Sequence, residues 1–390
     1  MTRVCKVTHH DIVMAYRKAK VDAWYSQSLD ANAVIEFENN FEDNVNEIVH
    51  ALNKKNCNFA DDWLGSWTFQ AKKFTSTGNE AKGVTSALIR RQKGLGDQGS
   101  ATFRLMALPS VRFHILSALW LLKTGYKFDG ALSTCSYGNR LRAKGPPNEL
   151  ASGSFKYYIS NFKSWKGKCI DTLIKELGTH VDEEVAVISA DATSFYHALR
   201  PDFLLEGSYL KTIGVRLNDY DKWLTRILIK AMNVWAKGTP LRTGLPVGLP
   251  ASAVIANMAL WELDYFFENK LGPKVLYYGR YVDDILLVLK NNGEFSSLVD
   301  VWQWLAASSR KLLKTVPEVR NGNRNTALCY TPRYAERMSE TLISFSGDKC
   351  RMVLLDAAAG LPYVEKMKSQ IDMVSSEFRL MPECATNSKE

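Results

Sequence analysis

The 390-residue sequence predicts an α+β chain with a helical N-terminal portion, and three observations carry that reading. Residues 11–55 contain no Gly and no Pro, and Phe37, Phe41, Val45, Ile48 and Leu52 recur at the three- and four-residue steps of one helix face. From Val185 onward, short β-branched runs such as VAVIS alternate with helix-like stretches. Hydrophobic residues make up 46% and charged residues 23%, close to globular norms, so a chain of this length can bury two or three domain cores.

The elements follow in order. Residues 1–85 read as a helical extension. Residues 89–104, IRRQKGLGDQGSATFR, read as a mobile basic loop, 111–123 as a helix, and 134–147 as a second basic loop closed by Pro146-Pro147. After the VAVIS strand, 219–236 has helical character, and the loop GTPLRTGLPVGLP leads into an apolar helix over 251–267. A strand–turn–strand is expected over 275–289, a helix over 301–314, and a hairpin over 341–355 about Gly347-Asp348. The sequence from Glu377 is polar.

Fifty Lys and Arg against 41 Asp and Glu leave a formal charge of +9, which suits a polyanionic partner. The seven cysteines are widely spaced with no Cys-x-x-Cys pair, so reduced thiols are expected rather than a zinc knuckle or disulfide framework. The first residues lack the apolar core of a secretory leader, and the greasiest run, 115–122, is too short to span a bilayer. A cytoplasmic protein without a membrane partner is the expectation.

The sharpest feature is YYGRYVDDILLVL, residues 277–289, in which Asp283 and Asp284 interrupt a β-prone apolar run. Adjacent carboxylates that lose hydration repel each other and need compensation, either from water at a surface turn or from a cation. A solvated turn would explain an isolated pair. A second segment, VAVISADATSFY, puts Asp191 at the end of another apolar strand. One acid at a strand mouth and two on a neighbouring hairpin could converge on hard divalent cations, and magnesium takes oxygen ligands beside substrate phosphates. Two such ions about 3.5–4 Å apart can activate an attacking hydroxyl and steady a leaving oxygen, which is the logic of phosphoryl transfer.

Asp191 with Tyr196 five positions on, the Gly/Pro-rich TGLPVGLPASAVIAN (243–257) and YVDD (281–284) together resemble motifs A, B and C of reverse transcriptases. FRLMALPSVR (103–112) and SYGNR (136–140) resemble the fingers motifs of group II intron and retron-type enzymes. AYRKAKVDAWY (15–25), SYGNRLR and SSEFRLMP (375–382) are similar to bacterial defence-associated, abortive-infection or "unknown group" reverse transcriptases, and specifically to the b subunit of the type-three two-polymerase defence system.

The resemblance implies a right-hand polymerase fold: a helical N-terminal extension (1–85), fingers (86–180), a palm (181–300), and remaining palm strands with a helical thumb-like region (301–390). It implies an RNA-directed DNA polymerase working on dNTPs with two Mg2+ ions, for which Mn2+ can substitute. Asp191, Asp283 and Asp284 take the catalytic, metal-binding positions, and the Ala192 carbonyl is a further metal ligand. Tyr196 matches the aromatic gate beneath the sugar, although packing beside Phe195 would also account for it. Arg104, Arg140 and Gly248 match nucleotide-binding positions, with a solvated basic loop the other account of Arg104 and Arg140. Val247, Pro250, Tyr281, Arg90 and Arg91 match positions facing template or primer, with a solvated basic loop an equal account of the two arginines. Val247 departs from the family, which often has Gln there, and Ala253 stands where many members have Pro. The loss of a polar side chain at 247 points to short, repetitive or nontemplated product, with Val247 simply packing against the palm while another residue contacts the template as an equal account. Lys311 or Lys314 could be the palm lysine that protonates pyrophosphate, or simply the solvated side of a helix. Partners implied are nucleic acid, including a structured noncoding RNA, and a second reverse transcriptase subunit or further copies of the chain, in antiphage defence. Two alternatives stand beside this reading: an RNA-dependent RNA polymerase, which Tyr196 disfavours, and a catalytically silent RNA-binding scaffold.

Overall fold

The computed structural model describes residues 6–26, 30–54, 57, 59, 61–75, 100–142, 153–179, 183–320, 323–333, 343–347 and 349–373.

The expected helical start divides into α1 (His9–Ser26), α2 (Ala31–Asn39) and α3 (Phe41–Asn53). Phe37 on α2 and Val45, Ile48 and Leu52 on α3 are buried, as their spacing requires. Asp30 caps α2 by accepting the Asn32 N–H, and the two helices part at Asn40. On α1, Ile12, Ala15 and Ala19 are buried at helical spacing. α1 lies along α4 (Val111–Trp120), whose Phe113, Ile115, Leu116 and Leu119 are wholly buried. Near the end of α1, buried Asp22 accepts from the Ser154 N–H and hydroxyl, both at 2.6 Å, which ties the extension to the loop after Arg142.

The helical reading of 1–85 stops at Leu64. Gly65–Thr75 is a strand, β1, antiparallel to β2 (Ser100–Pro109), which also takes in the end of the expected basic loop. Trp67 and Phe69 stand on one face of β1 with their rings 5.3 Å apart, and Gly65, at φ 83°, has no room for a Cβ against the Leu108 carbonyl. Arg90 and Arg91 lie outside the described residues.

The centre is a four-stranded antiparallel sheet of order β4-β5-β3-β9, from β3 (Glu184–Asp191), β4 (Val275–Tyr281), β5 (Asp284–Asn291) and β9 (Arg351–Leu355). Its alternation sends Val185, Tyr277 and Val288 to one face, covered by α5 (Tyr158–Thr179) and by α10 (Ala357–Met373) through Val364. Ile188, Ala190, Ile285 and Leu287 face the other way. There they meet α8 (Trp261–Asn269), α9 (Leu298–Ser308) and the second sheet, β6-β7-β8 (Leu313–Arg320, Asn323–Tyr330, Ile343–Phe345).

Three boundaries differ from the sequence reading. The apolar helix over 251–267 breaks at Leu260 into α7 (Pro250–Ala259) and α8. The helix over 301–314 ends at Ser308, where positive-φ Arg310 and Lys311 turn the chain into β6. Residues 341–355 are not a hairpin: β8 pairs with β7 while β9 pairs with β3, so the intervening turn carries the chain between sheets. α6 (Asp219–Lys237) matches expectation, with an Asn218/Asp221 capping box at its start. The described cysteines are free and buried, and no described helix is long and apolar enough to cross a membrane.

Candidate active site

Three aspartates stand at one corner of the central sheet. β3 ends on Asp191, which pairs in register with Asp284 at the start of β5, and Asp283 lies in the turn between β4 and β5. The Ala192 N–H donates to the Asp283 carbonyl at 3.4 Å, so the end of β3 is tied to that turn. Tyr281 pairs with Asp284, which leaves only Val282 and Asp283 as loop residues. So short a hairpin turn needs a positive φ, and Val282 supplies it at 60° despite its branched side chain.

A buried ion pair holds that turn. Arg280 is completely buried and donates to both Asp264 oxygens, at 2.8 and 2.6 Å, from α8. It also donates to the Asn257 side-chain oxygen at 2.9 Å on α7, and to the Val282 carbonyl at 2.6 Å. Asn257 in turn donates to the Gly138 and Asn139 carbonyls at 2.8 and 3.2 Å. Gly138 lies so close that a Cβ there would sit 2.6 Å from the Val282 nitrogen. SYGNR, the TGLPVGLPASAVIAN helix and YVDD thus form one connected body.

The electrostatics agree with the geometry. Burial, then the neighbouring Asp284 and Asp191 charges, push the Asp283 carboxyl up to about 6, with Lys349 acting in the opposite direction. The Lys349 ammonium lies 2.8 Å from Asp191 Oδ2. Among the described residues, no group of three His, Cys, Asp or Glu side chains is drawn together for metal ligation. Asp191 is held by Lys349, and Asp284 is exposed. The donor set is nevertheless all oxygen and carries excess negative charge, and a cation, Lys349, already sits against it as a stand-in. These residues suit a hard divalent ion once Asp191 exchanges the ammonium for it.

Tyr196 follows β3 after Ser194, which turns the chain at φ 51°. The Tyr196 carbonyl accepts the Leu245 N–H at 2.9 Å, and Gly244, at φ 105°, has no space for a side chain against the His197 backbone. The ring is edge-on to Phe195, and Asn139 approaches its hydroxyl at 3.5 Å. Burial and the Asp283 charge raise the Tyr196 hydroxyl, keeping it neutral. Arg104 is exposed on β2 and exerts its charge on both Tyr196 and His197. The Ala107 N–H of the same strand donates to the Val247 carbonyl at 3.2 Å, which fastens the hairpin to the Gly/Pro loop. Val247 is half-buried, Gly248 is exposed at φ 105°, and Pro250 opens α7.

Two expectations need correction. Arg140 is not presented to a triphosphate. Its guanidinium donates to the Asp129 side chain (3.1 Å) and to the Asp129, Leu132, Ser133 and Ser136 carbonyls, so every N–H is used in bracing the SYGNR loop. Among the described residues the lysine paired with Asp191 is Lys349, not Lys311 in the β6 turn or Lys314 on β6. Only the pairing of β9 with β3 reveals Lys349, and no local spacing signals it. Also absent from the reading was the aromatic cluster of Tyr158, Phe162 and Trp165 on α5, whose rings lie 5.4–5.8 Å from that of Tyr281.

Residues 139–315 match the family model described as reverse transcriptase (RNA-dependent DNA polymerase). This segment is similar to reverse transcriptase domains. It spans slightly under half of the chain and contains all three aspartates, whereas Arg104 and Lys349 lie outside it. No curated protein matches the chain. With the reverse transcriptase domain come the right-hand polymerase fold and the chemistry of an RNA-directed DNA polymerase, a nucleotidyltransferase acting with nucleotides and nucleic acid. Polymerases of this family generally use divalent metal ions.

Proposed function

We propose that this reverse transcriptase adds deoxynucleotides at the β3/β4–β5 corner, with Asp191, Asp283, Asp284 and the Ala192 carbonyl holding Mg2+. The single observation that carries the reading is the placing of three carboxylates at the ends of two adjacent strands and the turn beside them, one of them pushed up to about 6 by burial and then by the charges of the other two. Bound there, two divalent ions would lower the barrier to phosphoryl transfer by neutralising charge on the attacking and leaving oxygens.

The chain's own residues do the rest. Arg280, Asp264 and Gly138 hold the Asp283 turn in place. Arg104 offers an exposed guanidinium to the triphosphate, and Tyr196 stands as the neutral floor under the sugar. Lys349, released from Asp191, is an ammonium within reach of the leaving group and able to give it a proton. Tyr281, Val247, Gly248 and Pro250 line the path of primer and template. Val247 offers that path methyl groups where a Gln would offer hydrogen bonds, which supports short, repetitive or nontemplated DNA as the product. The resemblance of 15–25 and 375–382 to defence-associated enzymes supports an antiphage role with a partner RNA or second polymerase subunit.

The test is to incubate the purified chain with Mg2+ and labelled dNTPs or rNTPs, with and without a mixed-sequence primed template. Products are then digested with DNase or RNase and sequenced. DNase-sensitive, low-complexity product independent of the template supports the proposal. Faithful full-length copies refute the product assignment, and RNase-sensitive product refutes the choice of sugar.

A further inference from the structure

An open cavity of about 710 Å³ lies between the short helix Gly207–Thr212 and the start of α6, and no residue of the carboxylate site lines it. Its rim carries Lys211, Arg216, Lys222 and Arg226, and no Asp or Glu lines it. Elsewhere cations are commonly paired: Lys123 with Asp11, Lys127 with Asp221, Arg112 with Glu47 and Arg140 with Asp129. Among the described residues none of the four rim cations has an ion-pair or side-chain hydrogen-bond partner.

The local fold converges these charges. The short helix ends in a Schellman motif, with Val215 N–H donating to the Leu210 carbonyl (3.0 Å) and Gly214 N–H to that of Lys211 (3.3 Å). Gly214 takes φ 72°, which turns the chain so that Lys211 and Arg216 meet across the cavity. Lys222 and Arg226 stand four residues apart on one face of α6. Asn218 and Asp221 already cap α6, and Asp221 is turned inward to Lys127 and Thr124, so it offers the rim no compensating charge. Leu210 and Val215 contribute an apolar floor.

A solvated basic face spreads its charges outward. Four unpaired cations around one concavity of nucleotide size, above an apolar floor, fit anionic oxygens with a flat or apolar group attached. We propose that this cavity is a second phosphate-binding site, separate from the carboxylate corner. It takes the phosphates of a nucleotide or of a nucleic-acid strand. It does not depend on the polymerase assignment, since neither metal nor catalysis is needed to fill it.

The full-length chain is tested in EDTA, which removes metal-dependent triphosphate binding at the aspartates. The probes are inorganic tripolyphosphate and a labelled oligodeoxythymidylate, titrated against wild type, Arg216→Glu/Arg226→Glu, and a charge-matched control, Lys175→Glu/Lys270→Glu. All four positions are exposed. At least tenfold weaker tripolyphosphate binding by the first variant, with the control near wild type, identifies a site for free phosphate compounds. A fall of about 1.4 in the log–log salt slope for the oligonucleotide, about 0.7 per lost single-strand phosphate contact, identifies strand phosphates instead. Wild-type binding of both probes by the first variant, or equal weakening in the control, overturns the proposal. If the first variant melts early, Arg216→Gln/Arg226→Gln is measured against the same thresholds.

Discussion

Arg280 donates from Nη1 to the carbonyl of Val282, two residues further along, at 2.6 Å, and Val282 sits at φ 60°. A β-branched residue in the left-handed region costs on the order of 1–3 kcal/mol and persists only where its surroundings impose it. Here the guanidinium, fixed by both oxygens of Asp264 and by Asn257, holds the turn, and Gly138 packs against it. The strain falls on the residue directly before Asp283.

Arg280→Lys should therefore reduce kcat at least tenfold with a smaller change in KM. One ammonium cannot span Asp264, Asn257 and Val282 together. Arg280→Met should cost stability more severely, about 3–5 kcal/mol, because Asp264 would be left buried and uncompensated. Wild-type kcat for Arg280→Lys in steady-state incorporation would show that the turn is held by other contacts.

The raised Asp283 carboxyl makes a stability prediction opposite to that for activity. Asp283 is pushed from 3.8 up to about 6, so between these values the folded chain binds more proton than the unfolded chain. Stability from this group is full below about pH 4 and is lost as pH rises through about 6. Asp283→Asn removes the ionised form, and at pH 7.5 without metal it should melt about 2 °C higher, on the order of 1 kcal/mol after solvent screening. That gain should vanish at pH 4. An equal melting difference at both pH values, measured by calorimetry in EDTA, would break the link to Asp283 ionisation.

Much of this site was legible in the sequence, and what was not has a physical cause. Asp191, Asp283 and Asp284 stand out because carboxylates in apolar, β-prone runs conflict with local preference, and antiparallel pairing places them together. Val45, Ile48 and Leu52 follow a local helical period, so their burial needed no tertiary knowledge. β1 was missed because 67–75 mixes aromatics with Lys and Gln and is completed only by a partner strand 25 residues later. Arg140 misled because an Arg in a Gly-bearing basic loop looks solvent-facing, whereas five oxygens from 129–136 enclose it. Lys349 was invisible because its position depends on the β9–β3 pairing across more than 150 residues.

Tyr196→Ala should raise ribonucleotide use relative to deoxyribonucleotide use by at least tenfold in the ratio of kcat/KM. Gly244 and Leu245 lock the Tyr196 backbone, so truncation opens space under the sugar without moving the strand. Absolute rates also fall through lost packing on Phe195, which is why the ratio is the quantity to measure. An unchanged ratio would return Tyr196 to a purely structural role.

Lys349→Gln should lower the single-turnover incorporation rate by about 10²-fold, the range of a positioned proton donor. It should also push the Asp283 carboxyl higher, since Lys349 is the cation that lowers it. The acid limb of the pH–rate profile should then move to higher pH. Lys314→Gln, on β6, should do neither. If the acid limb of Lys349→Gln coincides with that of wild type, Lys349 is not coupled to the carboxylates.

The central claim is that three aspartates at the β3/β4–β5 corner carry nucleotidyl transfer. It is tested most directly by single-nucleotide incorporation with Mg2+ by Asp283→Asn and Asp191→Asn, alongside thermal melting of the same preparations. The expected result is loss of three or more decades in rate, roughly 4 kcal/mol of transition-state stabilisation, in chains that melt at or above the wild-type temperature. Incorporation within about tenfold of wild type by either folded variant would contradict the assignment and move the chemistry elsewhere.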